Sequence, residues 1–140
     1  MISKLWITMP ADLGGLAALG EAVRTALNEA NASSETAETI ELCIAEAVNH
    51  AIERSRDSPR ANRVEVQVCI QDGRLEIEIG DRGEKLPPGP PTLSFDPEDR
   101  SSWPEGGMGL YLIHQLMADV QYKSDPTRNI IQMSCSLKAP

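Results

Sequence analysis

Three short stretches carry the residue types that could do chemistry. The first is "IAEAVNHAIERS", Ile44 to Ser55, which places Glu46, Asn49, His50 and Glu53 among small and apolar residues. At about 100° per residue these four share one side of a helix, while Ile40, Ile44, Ala47, Val48 and Ala51 share the other. Read plainly, this is an amphipathic helix with a solvated face. Read as chemistry, it aims a carboxylate and its polar neighbours at a phosphate–metal centre, with Glu46 able to act as a base. The second stretch is "EIGDRGEK". A strand that ends in Asp-x-Gly puts the Asp81 carboxylate at the sheet edge, where it could accept a hydrogen bond from an exocyclic amine such as that of adenine. Gly83 would let a ligand approach the backbone closely. The plain alternative is a strand-ending turn, for which Asp and Gly are favoured. The third is "EGGMGLYLI", where Gly106, Gly107 and Gly109 precede an apolar helix. Amides at a helix start favour anions, so this is a candidate phosphate site; the alternative is a hinge or cap.

These stretches need elements to hold them. "KLWITM", ending at Pro10, reads as a first strand. Leu16, Leu19, Val23 and Leu27 have helical spacing, with Asp12 as a candidate N-cap. A second helix covers "SSETAETIELCIAEAVNHAIERS", capped by Ser33 or Ser34, with glutamates in its first turns. Val64, Val66, Val68 and Ile70 alternate with polar residues, as do Leu75, Ile77 and Ile79, and "QDGR" between them is a hairpin turn signal. Lys85 to Glu105 holds most of the chain's 10 prolines and no periodicity. A structureless segment of about 20 residues in a compact domain is a functional lid or a disordered loop. "GLYLIHQLMADV" then reads as a helix with Leu110, Ile113, Leu116 and Met117 on its apolar side, and "IIQMSCSL" as a last strand. The order predicts an α+β two-layer sandwich with helices on one face of a sheet.

Composition narrows the function. A chain of 140 residues fits a single domain, 1–140, able to bury its own core. Aromatics are only 4%, so that core must be aliphatic. A net charge of -8 disfavours nucleic acid as a partner, because such binders carry a basic stripe. Cys43, Cys69 and Cys135 are far apart and odd in number, which suits buried free thiols in a reducing compartment rather than a zinc site. No long apolar run marks a signal peptide or a membrane span, so a cytoplasmic domain is expected. His114, Trp103 and Phe95 read as packing residues. Arg54, Arg56, Arg60 and Arg63 read as a solvated basic cluster that could meet an acidic partner.

In their order, "ELCIAEAVNHAIERS", "IGDRG" and "EGGMGLYLI" resemble the N, G1 and G2 boxes of the GHKL ATPase superfamily. The compact length, the run "GGMGLYLIHQLMADVQY" and the opening "LWITMPADLGGLAALGEAV" resemble the anti-sigma-factor serine kinase branch, over essentially the whole chain. The resemblance implies a Bergerat fold, with a mixed, mostly antiparallel sheet and helices on one face. It implies ATP and Mg2+ between the N-box helix and a lid at about 85–106. Asp81 would hold the adenine amine and Gly83 would admit the base. Gly107 and Gly109 would face the phosphates, with Met108 and Leu110 in the same binding stretch. Glu46 would be the general base for a serine on a STAS-type anti-anti-sigma partner. Family members also sequester a sigma factor, and many are homodimers; neither nucleic acid nor membrane is an expected partner.

The chain departs from the family at the metal. Where relatives carry a Mg2+-binding asparagine four residues after the glutamate, this chain has His50, and Asn49 stands one position earlier. Both reach the same side of the helix, so both are metal and nucleotide candidates, although Mg2+ prefers hard oxygen ligands. Lys85 replaces the second G1 glycine of many relatives. The leading expectation is an ATP-dependent protein-serine kinase and anti-sigma factor that works by partner switching. The alternative is a catalytically weak or inactive protein-binding module on the same fold. A detached histidine-kinase ATPase domain is a third reading, disfavoured because no phospho-acceptor helix accompanies the boxes.

Overall fold

The computed structural model describes residues 2–55, 63–83, 98–99, 101, 113 and 115–137. Five strands, β1 (Ile2–Pro10), β2 (Arg63–Gln71), β3 (Arg74–Asp81), β4 (Asp119–Ser124) and β5 (Asn129–Ser136), form one sheet in the order β1-β2-β3-β5-β4. Every described pairing is antiparallel. Helices α1 (Leu16–Glu29) and α2 (Ser34–Ser55) pack on one face. This is the expected two-layer α+β sandwich. Its inner layer is aliphatic: Leu19, Val23 and Leu27 from α1, Ile40, Ile44 and Val48 from α2, and the alternating Val, Ile and Leu positions of β2 and β3 are all buried. Each such side chain contributes roughly 1.5–3 kcal/mol by leaving water. The outer face is polar, with Arg128 paired to Glu65 and Glu78, and it exposes Trp6 at 66%.

Local signals place the elements. Asp72 and Gly73 both have positive φ, 53° and 73°, between the paired Gln71 and Arg74. That is the backbone of a two-residue hairpin turn, which Asp-Gly adopts at little steric cost. Ser33 is the cap of α2: its Oγ accepts the Thr36 N–H at 3.1 Å. The end of α1 is closed by Asn31 at φ 61°, with Asn31 N–H bonded to the Asn28 carbonyl and Ala32 N–H to the Leu27 carbonyl. This paired closure satisfies two carbonyls that the helix end would leave bare.

Several expectations are corrected. Asp12 does not cap α1. Its Oδ1 accepts the Gly14 N–H at 2.8 Å and so closes a short 3-10 turn, Leu13–Gly15, that precedes the helix. The two glycines ahead of Leu16 favour that tighter lead-in over an immediate α-helix. Asp119 and Val120 are not the tail of a helix but the start of β4. The helical bond from Met117 N–H to the Ile113 carbonyl is the last in that stretch, because Ala118 N–H already bonds to Ser134 on β5. Ile113 and Met117 are buried as expected, but Leu116 is 41% exposed and does not belong to the apolar side. Of the cysteines only Cys43 is fully buried, and burial pushes its thiol up to about 11; Cys69 and Cys135 are half-buried.

One glycine ties the layers together. A Cβ placed on Gly83, just beyond β3, would lie 2.4 Å from the Arg54 carbonyl oxygen and 2.8 Å from the Ser55 nitrogen. The sheet therefore meets the end of α2 backbone to backbone. The close approach expected of Gly83 is made by the chain itself. Gly83→Ala should lower folding stability by about 1–3 kcal/mol, as overpacking against unyielding backbone does. Urea unfolding would measure it, and a midpoint equal to wild type would show that α2 can back away freely.

Candidate functional site

β3 alternates inward through Leu75, Ile77 and Ile79, and Asp81 is next in phase. Its carboxylate therefore points into the helix layer, with a side-chain exposure of 0%. An ionised carboxylate in such a place must be compensated. Three donors do so. The Gly83 N–H reaches Oδ1 at 2.9 Å, the Asn129 Nδ2 reaches Oδ1 at 3.0 Å, and the Arg54 Nη2 reaches Oδ2 at 2.6 Å. Asn129 is the cross-strand neighbour of Asp81 on β5, and Ser124 on β4 faces Asn129 in turn and donates to its Oδ1 at 2.9 Å. The turn before Asn129 is held by Asp125. Its Oδ1 accepts the N–H groups of Thr127 and Arg128 and the Thr127 hydroxyl, and those bonds keep its carboxyl below the usual range. A row of polar side chains thus crosses β3, β5 and β4 at one end of the sheet.

The last turn of α2 meets this row through Arg54, and the polar face of the helix runs back from there. Glu46, Asn49 and His50 are half-buried and Glu53 is exposed, while Ile44, Ala47, Val48 and Ala51 are buried. The helical phase read from the sequence is the phase observed. Glu46, Asn49, His50 and Arg54 climb the same helix towards Asp81. Tyr122 on β4 is close enough to feel the Arg54 charge, though burial dominates and pushes its hydroxyl up to about 12.

Two members of this arrangement were not read as site residues. Arg54 was grouped with a solvated basic cluster, yet its side chain is only 13% exposed and is paired with Asp81. Arg56 and Arg60 lie outside the described residues, and Arg63 is exposed. Asn129 falls one residue before the strand that the alternation predicts from Ile130, and β5 includes it. The signal was present: Asn129 is in phase with Ile131, Met133 and Cys135. Gly107, Met108, Gly109 and Leu110 lie outside the described residues, as do Gly106, Phe95, Trp103 and His114. Of the expected lid, only Glu98, Asp99 and Ser101 are described; Asp99 Oδ1 accepts the Ser101 N–H and hydroxyl.

For a divalent cation, the donors on α2 are unequal. The Glu46 carboxylate and Asn49 amide oxygens are hard ligands that fit Mg2+, and His50 offers only nitrogen. Among the described residues no group of three or more His, Cys, Asp or Glu side chains converges on one point. Mg2+ commonly takes one or two protein oxygens and leaves the rest to water and phosphate, so Glu46 and Asn49 are compatible with it. A concavity of about 280 Å³ lined by Arg63, Glu65, Gly80, Asp81, Arg82 and Arg128 opens at the same end of the sheet. Glu65 and Gly80 pair with each other out of phase with the core positions, so it belongs to the outer face and not to the face of α2.

His50 is held below its ordinary pKa, first by burial, with Arg54 acting in the same direction and Glu53 and Glu46 opposing. The unfolded chain would take up this proton near its ordinary value of 6.5, before the folded chain does. Stability from this group is therefore complete above that value and is lost as pH falls through the lower folded pKa. Urea unfolding in chelator at pH 7.5 and about 5.5 should show a stability loss in wild type that His50→Gln reduces; equal losses in both proteins would refute the assignment.

Comparison with known proteins supplies the frame. Residues 9–135 match the family described as "Histidine kinase-like ATPase domain". Serine-protein kinase RsbW of Listeria monocytogenes serovar 1/2a is 26% identical over 140 residues, covering 94% of this chain and 86% of that protein. Serine-protein kinase RsbW of Oceanobacillus iheyensis is 30% identical over 102 residues, covering 67% and 62%. Among solved structures, the RsbU and RsbW domains of Rv1364c from Mycobacterium tuberculosis superpose with a TM-score of 0.71 at 18% identity. That match covers 99% of this chain and 33% of the other, so the present chain spans about a third of it, and the likeness is one of fold. The match over residues 9–135 takes in nearly the whole of the described sandwich: the chain belongs to the histidine kinase-like ATPase domain family.

Proposed function

We propose that the chain is one ATPase-like domain acting in the cytoplasm as an ATP-dependent protein-serine kinase and anti-sigma factor. The observation that carries this reading is the buried Asp81 carboxylate at the end of β3, beside a helix face bearing Glu46 and Asn49. A fixed carboxylate suits an adenine amine, as the family pattern has it. Gly83 adjoins it, and Gly107 to Leu110 would hold the phosphates beneath a lid at about 85–106. Glu46 would take the proton from the hydroxyl of a serine on a STAS-type antagonist. The serine oxygen would bond to the γ-phosphorus as the bond to the β-phosphate oxygen breaks and ADP leaves. Asn49 would offer Mg2+ a hard oxygen, and the ion when bound neutralises phosphate charge. The helix contributes positioning: half-buried side chains on a regular helix lose little freedom when substrate binds. Phosphorylation of the antagonist would free this chain to hold a sigma factor, with a homodimer as the working unit. The names of the relatives at 26–30% identity support the kinase reading.

A second reading has its own observation. His50 stands where a Mg2+-binding asparagine is expected, and burial holds its pKa below the ordinary value. That favours a protein-binding module with weak or no turnover. Calorimetry with ATP, with and without Mg2+, separates the two. Mg2+-dependent binding that is lost in Asp81→Asn supports the kinase, provided circular dichroism shows the variant folded. No binding to wild type leaves the module. Glu46→Gln should keep ATP binding and slow transfer to a STAS domain by on the order of 100-fold or more, the scale of a general base. Unchanged transfer would remove Glu46 from that role, and a gain of transfer in His50→Asn would identify a weakened metal site.

A further inference from the structure

We infer that Arg54 is a specificity-determining residue that adenine must displace from Asp81, so that it sets how much the 6-amino group contributes to nucleotide affinity. The inference rests on the reading of Asp81 as the adenine acceptor. Among the described residues, Oδ1 of Asp81 already accepts two donors: the Gly83 N–H, two residues on in the chain, and the amide of Asn129, its ladder partner on β5. An incoming amine can therefore only take Oδ2. There the Arg54 Nη2 sits at 2.6 Å, and the carboxylate side chain has 0% exposure. The amine must move the guanidinium to make its bond.

Arg54 is suited to move. It lies in the last turn of α2, and its Nε has no hydrogen-bonding partner among the described residues although it is buried. Among the described residues the guanidinium is thus held through Nη2, while the Asn129 and Gly83 donors stay in place to hold the carboxylate. Binding exchanges a charge-assisted bond to Arg54 for a bond to a neutral amine, and the first is the stronger kind. The net contribution of the amine is then small, and discrimination between purines with and without it is muted. Removing Arg54 leaves Oδ2 short of a donor that only an amine-bearing base restores. A residue that merely supports the fold would affect both kinds of base alike.

The test compares ATP with purine riboside triphosphate, which has hydrogen in place of the 6-amine, by calorimetry on the full chain. Arg54→Ala should tighten ATP binding about tenfold and leave the other nucleotide unchanged, on the scale of one bond to a charged acceptor. Arg54→Lys, which retains a charged donor, should restore the wild-type ratio. An equal change for both nucleotides, or weaker ATP binding in Arg54→Ala, overturns the inference. If Arg54→Ala does not fold, side-chain nitrogen NMR of the arginines in wild type decides. Added ADP should release one slowly rotating guanidinium, assigned as Arg54, to fast rotation, and persistence of slow rotation overturns the idea. Asp81→Asn separates the two levels. If it leaves wild-type ATP affinity intact, the adenine reading fails and this inference with it. If it abolishes binding while Arg54→Ala leaves the nucleotide ratio unchanged, only the role of Arg54 fails.

Discussion

The buried carboxylate of Asp81 is the constraint around which the molecule is arranged. Burying a charge costs several kcal/mol unless donors replace the lost water. Here the donors come from separate parts of the chain: the backbone just past β3, the first residue of β5, and the last turn of α2. The carboxylate therefore pins the end of the central hairpin to a neighbouring strand and to the long helix at one point. The same point has two further requirements. Gly83 must lack a side chain because the Arg54 carbonyl occupies its space, and Asn129 must be presented at the right register, which the Asp125 turn ensures. A change at any of these positions is felt by the others.

From that anchor the remainder of the site follows by geometry. α2 is a single helix from Ser34 to Ser55, so fixing its last turn fixes the height and rotation of Glu46, Asn49 and His50. Its apolar side is locked to the sheet by Ile40, Ile44, Ala47, Val48 and Ala51. The ion pair between Arg24 and Glu41 ties α1 to the same helix. The polar face is thus held by the packing of the opposite side of the helix. A set of half-buried polar groups on a rigid support suits a site where positioning does most of the chemical work. An exchange at His50 on that face would change the donor offered and not the surface that packs.

Much of this was legible in the order of residues. Period-two alternation marked β2, β3 and β5, and the Asp-Gly turn marked their hairpin, because those signals come from backbone sterics and local burial. The helical phase of α2 was readable for the same reason. That a carboxylate, Asp81, ends β3 was readable from the alternation before it and the glycine after it. What was misread lies where local signals compete. Asp12 had the residue type of a helix cap, and the glycines after it decided in favour of the 3-10 turn. Ala118 to Val120 had helical composition, but Ala118 N–H bonds to Ser134, and pairing with Ser134 and Met133 drew Asp119 and Val120 into β4. Leu116 had helical spacing and still faces outward.

The sequence by itself determined which side chains share a face of α2, where the hairpin turns, and that a carboxylate followed by glycine ends the middle strand. Each of these depends on residues within a few positions of one another. Only the tertiary structure decided what that carboxylate meets. Arg54 is 27 residues away and Asn129 is 48, and nothing local distinguishes a buried arginine from its surface neighbours. Their roles arise because the cost of an uncompensated buried charge selects, from the whole folded chain, the donors that can reach it.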